Sequence, residues 1–321
     1  MTTFHLGIDV AKAKLDCALR LPNGKFRAKV VTNTAQGYAD LVDWLARHEA
    51  LDVQVCMEAT GIYWEDSAQF LAPRGVTVSV VNPAQIKAYA ASRLTRSKTD
   101  AVDARLIAEF CAERHPPPWQ ARTAAEVALR ALVMRLDALQ TMRTQESNRL
   151  GVARDAVRTT IQEHLDWLDQ QIKSLIQTIN QHIASNPDLK GKRELLDSIP
   201  GLGERTIAIL LAFFADPSRF ANSRQAAAFG GLDPRHHESG TSVKAKPRLS
   251  KVGHAFLRKA LYMPAMVTLY KTAWGKQFKD RLELSGKPAK LIIGAMMRKL
   301  LHVAFGVLKS GKNFDPALHG A

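Results

Sequence analysis

The sequence has little cysteine, no cysteine pair and no long unbroken apolar run, and each lack narrows what the chain can be. Only three cysteines occur, Cys17, Cys56 and Cys111, far apart and in no Cys-x-x-Cys pair. So sparse and odd a set argues against a disulfide framework or a cysteine zinc site, and it predicts a reducing, cytoplasmic setting. Residues 1–10 lack the charged-then-apolar layout of a secretory leader. The most apolar late stretch, 291–308, is interrupted by Arg298, Lys299 and His302, which predicts a buried helix and not a membrane span.

Acidic residues are scarce in the last quarter of the chain. From Arg235 onward there are 17 Lys and Arg against 4 Asp and Glu, whereas the first 234 residues hold 28 against 26. Nearly all of the formal net charge of +15 therefore lies at one end. A solvated basic face is the plain reading, but a long block with so few compensating acids suits a surface that neutralises phosphates and releases counterions. What is present in ordinary amounts, 46% hydrophobic and 23% charged residues over 321 positions, is enough for two domains with cores of their own.

Apolar runs at Phe4–Asp9, Leu15–Leu21 and Phe26–Thr32, separated by turn residues such as Pro22-Asn23-Gly24, predict three strands joined by tight connections. A helix pattern over Gln36–His48 follows, then a strand at Val53–Glu58, a helix at Trp64–Arg74 and a Val-rich strand at Val76–Val81. Helices are expected at Pro83–Ala91 and Lys98–Arg114. The order β-β-β-α-β-α-β-α is that of an RNase H-like domain. His115-Pro-Pro-Pro-Trp119 stops the last helix and marks a boundary.

From Thr123 to about Asn186 the pattern is helical. Ile161, Leu165, Leu168, Ile172, Leu175 and Ile179 recur at heptad spacing, and Leu129, Leu132, Leu136 and Leu139 do so one helix earlier. Two such helices can pair within the chain or zip to another subunit. Further on, Ser198-Ile-Pro-Gly-Leu-Gly203 before an apolar helix fits a helix-hairpin-helix element, in which Gly201 and Gly203 let the backbone approach a phosphate; a plain tight turn between core helices is the alternative. The stretch from Arg235 to Ser250 reads as a long polar loop, with helices again at His254–Tyr270 and Lys290–Lys309. The fold class is thus α/β plus all-α: an RNase H-like domain at 1–118, a helical coiled-coil spacer at 119–190 and a mainly helical domain at 191–321.

Phosphodiester chemistry assisted by two divalent ions needs several carboxylates converging on a small volume. Asp9 closes the first strand and Glu58 the fourth, so neighbouring strands would bring both to one sheet edge. Asp100 and Asp103, three apart, share one face at the start of a helix. Taken singly, each reads as well as a strand-end or helix-start acid. Together, such acids repel one another unless cations lie among them, and an all-oxygen set favours Mg²⁺, with Mn²⁺ able to substitute. Arg93, Arg96 and Lys98 just upstream suit a phosphate backbone. So do Lys244, Lys246, Arg248, Lys251, Arg258 and Lys259, which would position nucleic acid without reading its sequence.

Gly7-Ile-Asp-Val-Ala-Lys12, Glu58-Ala-Thr-Gly61, Asn82-Pro-Ala84 and Lys98-Thr-Asp-Ala-Val-Asp-Ala104 resemble the DEDD-type insertion-sequence transposases. The resemblance continues through Ile199-Pro-Gly-Leu-Gly203, Arg224-Gln-Ala-Ala-Ala-Phe229, Gly231-Leu-Asp-Pro-Arg235, Glu238-Ser-Gly240 and Gly253-His-Ala-Phe-Leu-Arg258. It covers essentially the whole chain in order. It implies a RuvC-like nuclease domain with Asp9, Glu58, Asp100 and Asp103 as metal ligands. It also implies that Ser239, a residue composition alone would never single out, is the nucleophile that forms a 5′-phosphoserine link. Thr241, Ser242, His236 and His237 are its neighbours in the same hydroxyl-rich segment. The partners implied are donor and target DNA, a structured bridge RNA that pairs with both, and further copies of the chain, with the catalytic and serine domains meeting across subunits of a tetramer in a bacterial, nucleoid-associated setting.

Three other readings differ in their demands. A metal-dependent nuclease or junction resolvase would use water in place of the serine. An actin-like ATPase would share the first hairpin but needs a second phosphate-binding hairpin, and Gly230-Gly231 is isolated. A non-catalytic nucleic-acid binder explains the basic end and leaves the four acids without a purpose.

Overall fold

The computed structural model describes residues 4–94, 99–239 and 243–318, excluding the side chains of 236–239 and 243–247. The chain divides after Arg122 into two compact units.

The first unit is built on a five-stranded mixed sheet. Its elements are β1 (Phe4–Val10), β2 (Lys14–Arg20), β3 (Phe26–Thr32), α1 (Ala35–Ala46), β4 (Val53–Glu58), α2 (Glu65–Leu71), β5 (Thr77–Val81), α3 (Pro83–Ser92) and α4 (Asp100–Arg114). The sheet order is β3-β2-β1-β4-β5. β2 runs antiparallel to both β1 and β3, while β4 pairs parallel to β1 and to β5. This is the RNase H-like arrangement, with β1 and β4 side by side at the centre.

Pleat alternation sorts the side chains into two layers. Leu6, Ile8, Leu15, Cys17, Val55 and Met57 face a core completed by Tyr38, Leu41 and Leu45 of α1 and Ala68 and Leu71 of α2. The opposite face packs Cys56 and Val81 against Ile86 and Tyr89 of α3 and Leu106, Ile107, Phe110 and Cys111 of α4. Gly7, Asp9, Asp16 and Glu58 belong by parity to this second, α4-covered face.

Gly7 explains how closely α4 lies. A Cβ there would collide with the carbonyl oxygen of Ala104 and the nitrogen of Ala108, so only glycine admits the helix at this depth. Thr99 caps the start of α4 by accepting from the Val102 amide. His115, in the left-handed region at φ 44°, ends it. The segment after His115 stays with this unit: Trp119 donates its amide to the Val78 carbonyl, and its ring meets Trp64 edge to face.

The second unit is mostly helical. It comprises α5 (Ala124–Val152), α6 (Asp155–Ser185), α7 (Pro187–Asp197), α8 (Glu204–Phe214), α9 (Ser223–Phe229), β6 (Pro234–Ser239), β7 (Val243–Leu249), α10 (Ala255–Lys271), α11 (Ala273–Leu284) and α12 (Ala289–Ser310). Thr123 and Glu126 form a reciprocal capping box at the start of α5. α5 and α6 fold back on each other as an antiparallel hairpin. His182 bonds the Ala125 carbonyl at 2.9 Å, Arg143 reaches Asp169 at 3.1 Å and His164 reaches Glu146 at 3.3 Å, so the pairs close towards the turn. Of the heptad positions, Leu165, Leu168 and Ile179 are buried within the chain, and Ile172 and Leu175 pack against the core to which Ile179 belongs. That core also takes in α7 to α10 and α12, so the helical hairpin is part of the second unit. α12 is the one helix among the described residues long and apolar enough to cross a membrane, yet Ile292, Met296, Leu300, Leu301 and Ala304 are buried in this core.

The segment expected as a long polar loop is instead an antiparallel hairpin. β6 and β7 pair from Pro234–Leu249 to Ser239–Val243, with an irregularity between Arg235 and His237. Val243-Lys-Ala-Lys-Pro-Arg-Leu249 alternates basic with small or apolar residues, a period of two hidden by the density of charge.

Candidate active site

The carboxyl-terminal ends of β1 and β4 lie together, and Asp9 and Glu58 directly follow the Ile8–Met57 pair. Asp16 sits opposite Asp9 across the β1–β2 ladder. α4 delivers Asp100 and Asp103 from its first turn, with the Asp103 amide bonded to the Thr99 carbonyl at 2.8 Å. Five carboxylates from four segments thus share one corner of the sheet.

Their mutual influence is concentrated on Asp9. Burial first, and then the charges of Asp103, Asp100, Asp16 and Glu58, push its carboxyl up to about 6. Thr60 donates its hydroxyl to Glu58 at 2.6 Å and fixes that carboxylate's orientation. Asp100, by contrast, is held below the usual carboxylate range because Lys14 donates to its Oδ2 at 2.8 Å. The same ammonium lies 2.9 Å from Asp16 Oδ2. These two partners raise the Lys14 ammonium above its ordinary value, Asp100 contributing most.

In kind, this donor set fits a hard divalent cation: all ligands are carboxylate oxygens and one is already discouraged from ionising. As placed, no three Asp, Glu, His or Cys side chains among the described residues are gathered closely enough to hold an ion. Asp100 is turned towards Lys14.

Ser239 is the last paired residue of β6, and residues 240–242 after it lie outside the described residues. Arg96 and Lys98 also lie outside them, as do the side chains of Ser239, Lys244 and Lys246. Of the other candidate phosphate contacts, Arg248 and Lys251 are exposed. Lys259 bonds Asp137 at 3.1 Å, in a cleft of about 700 Å³ shared with Arg205, Tyr262 and Met263. Two further basic candidates likewise have internal partners. Arg93 is engaged by Glu109 at 2.9 Å and Glu113 at 2.8 Å. Arg258 donates to the carbonyls of Gly230 and Lys251 at 3.1 and 3.3 Å, so its first role is to hold the strand-flanking loops.

Gly201 likewise has an internal reason. At φ 106° it adopts a conformation that L side chains rarely take, and a Cβ there would meet the Thr268 hydroxyl. Packing against Thr268 by itself requires a glycine here. Gly203 is open, but the helix it caps begins with Glu204, which is paired to Arg193 at 3.2 Å. A carboxylate at that helix start disfavours a second anion.

Sequence reasoning passed over Lys14 and Asp16. The available signal was register: Asp16 follows Asp9 at the distance a tight hairpin needs to place them opposite each other, and Lys14 shares its parity.

A mixed sheet of this order, with acids at the ends of its central parallel strands, defines an RNase H-like domain. A family model for DEDD transposases, described as "Transposase", matches residues 6–153, and another, "Transposase IS116/IS110/IS902 family", matches 193–280. The "Pilin gene-inverting protein" of Moraxella lacunata is 33% identical over 99% of this chain and 100% of its own length. A "Putative transposase" of Sinorhizobium fredii is 25% identical over 82% of this chain and 74% of its own. The chain also aligns with Thermus thermophilus RuvC in complex with a Holliday junction substrate, at 18% identity and TM-score 0.28, over 36% of this chain and 99% of that one. The chain belongs to the IS116/IS110/IS902 family of DEDD transposases, and it is an enzyme of DNA strand transfer.

Proposed function

We infer that the protein cuts and rejoins DNA with Ser239 as nucleophile and with Asp9, Glu58, Asp100 and Asp103 as ligands of two Mg²⁺ ions. The observation that carries this reading is the convergence of carboxylates from β1, β4 and α4 on one sheet corner, with the Asp9 carboxyl pushed up to about 6. Divalent ions bound there supply Lewis-acid polarisation of the scissile phosphate and charge relief for the departing oxygen. The chain's own groups do the rest. Thr60 orients Glu58, the first turn of α4 presents Asp100 and Asp103, and exposed Arg248 and Lys251 hold the phosphate backbone.

In the covalent step the Ser239 oxygen forms a bond to phosphorus as its proton leaves, and the bond from phosphorus to the 3′ oxygen breaks. That oxygen departs and takes up a proton as a free 3′-hydroxyl, leaving a 5′-phosphoserine. One phosphoester replaces another, so the strand can be rejoined to a new partner without ATP. A relative named for inverting a gene supports this, since inversion requires every cut end to be rejoined. A structured bridge RNA chooses the donor and target sequences, and a homo-oligomer brings the serine-bearing and carboxylate-bearing units of different copies together. The basic excess after Arg235 supports the nucleic-acid contacts.

The test is a denaturing gel of full-length protein incubated with labelled DNA and any copurifying RNA. A covalent protein–DNA adduct is expected, lost in Ser239→Ala and kept in Ser242→Ala. Strand cleavage without an adduct, unaffected by Ser239→Ala, would instead favour a water-using nuclease.

A further inference from the structure

The corner that gathers the four family acids holds two more charged groups, Asp16 and Lys14. Asp16 is buried, at 7% exposure, and sits directly opposite Asp9. Lys14 places its ammonium 2.9 Å from Asp16 and 2.8 Å from Asp100, and so ties the first turn of α4 to β2. With every group ionised, five carboxylates face one ammonium. Four charges are left uncompensated, as many as two divalent cations neutralise.

We propose that Lys14 is a positioning residue: balanced by Asp16, its ammonium holds Asp100 at the site and sets the net charge that a divalent cation meets there. This rests on the metal-site reading given above. An ordinary exposed salt bridge would contribute little and could be removed without consequence. Lys14 differs because both of its partners stand in the carboxylate corner, so its charge acts on whatever those carboxylates bind.

The two parts of this role have opposite signs, which makes them separable. Taking away the ammonium makes the corner more negative and draws a cation in more tightly. It also releases Asp100, so the bound cation is less well placed. Taking away the Asp16 charge leaves the ammonium unopposed and weakens cation binding. One unit of charge beside a divalent-ion site in a largely hydrated setting is worth roughly tenfold in affinity.

The experiment measures Mn²⁺ affinity of the full-length protein by electron paramagnetic resonance, with the Mn²⁺ dependence of DNA strand cleavage followed in parallel. Lys14→Met is expected to bind Mn²⁺ roughly tenfold more tightly while its maximal cleavage rate falls. Asp16→Asn is expected to bind roughly tenfold more weakly, and the Lys14→Met/Asp16→Asn double variant to return close to wild type in affinity. Lys14→Arg, which keeps the charge, should stay near wild-type affinity. Far-ultraviolet circular dichroism identifies any variant that fails to fold, and Lys14→Arg with the charge-neutral double variant then carries the test. Weaker or unchanged binding in folded Lys14→Met, or a double variant that behaves like Asp16→Asn, overturns the proposal. Asp9→Asn serves as the control for the underlying reading. If it leaves Mn²⁺ binding intact, the metal site itself is misassigned; if it abolishes binding while Lys14→Met changes nothing, only the role of Lys14 fails.

Discussion

Replacing Asp9 with asparagine is expected to stabilise the protein in EDTA, the reverse of what removal of a buried polar residue usually does. Asp9 is half-buried between Asp16, Glu58 and the first turn of α4, and its carboxyl is pushed up to about 6 by burial and by those charges. In the unfolded chain the same group ionises near 4, so from there upward the unfolded state is favoured by its ionisation. The penalty is complete once the folded group has also ionised, above about 6. Taken whole, the difference corresponds to roughly 3 kcal/mol at neutral pH. Solvent screening at a half-exposed site brings this to about 1.5 kcal/mol. Asparagine keeps the shape and removes the charge. Spread over the unfolding entropy of the whole 321-residue chain, this should raise the melting temperature of Asp9→Asn about 2 °C above wild type at pH 7.5. The gap should narrow as pH falls from 6 to 4 and vanish only below about 4, where both wild-type states carry a protonated Asp9. Thermal unfolding followed by circular dichroism across pH 4–8 measures this. Adding Mg²⁺ should then raise the wild-type melting temperature much more than that of Asp9→Asn. A folded Asp9→Asn protein that is no more stable at pH 7.5, or a gap that persists unchanged at pH 4, would refute the electrostatic reasoning.

Other perturbations address the fold that positions the acids. Gly7→Val should push α4 away from β1, lowering stability by about 2–4 kcal/mol and abolishing cleavage even at high Mg²⁺, as read by unfolding and cleavage assays. His5 is buried beside His115, and neither of its ring nitrogens has a hydrogen-bond partner among the described residues. Burial, then His115 and Arg20, holds its pKa below the ordinary histidine value. The stability it confers as a neutral group is present above the unfolded histidine value and is lost as pH falls through the lower folded one, so His5→Leu should gain on wild type at pH 5 relative to pH 8. Arg258→Ala should cost about 1–2 kcal/mol by stranding the Gly230 and Lys251 carbonyls while leaving the salt dependence of DNA binding unchanged. Lys251→Ala should do the opposite, lowering the log–log salt slope by about 1 with little effect on melting.

The sequence showed the first unit's framework because its strands are apolar runs of the right length between strong turn residues, and Asp9 and Glu58 end two of them. That those two strands are neighbours needed the crossover topology, which the short connection through α1 allows but does not dictate. Asp100 and Asp103 were visible as a helix-start pair; what brings them to Asp9 is the absence of a side chain at Gly7, whose meaning depends on what packs over it. The hairpin of β6 and β7 was concealed because its alternation is between basic and small residues, with no apolar stripe to count. Arg93 and Arg258 looked like free cations because only the folded chain brings them to their partners, Glu109 and Glu113 in one case and two backbone carbonyls in the other. Lys14 and Asp16 were missed for the complementary reason. Each is an ordinary surface-type residue until strand register sets it among the acids.

The most direct measurement is a count of Mn²⁺ ions bound by the full-length protein, by electron paramagnetic resonance, in wild type, Glu58→Gln and Asp103→Asn. Two ions per chain are expected in the wild type, with at least one lost or strongly weakened in each variant. Unchanged number and affinity in both variants would contradict a divalent-cation site shared by β1, β4 and α4.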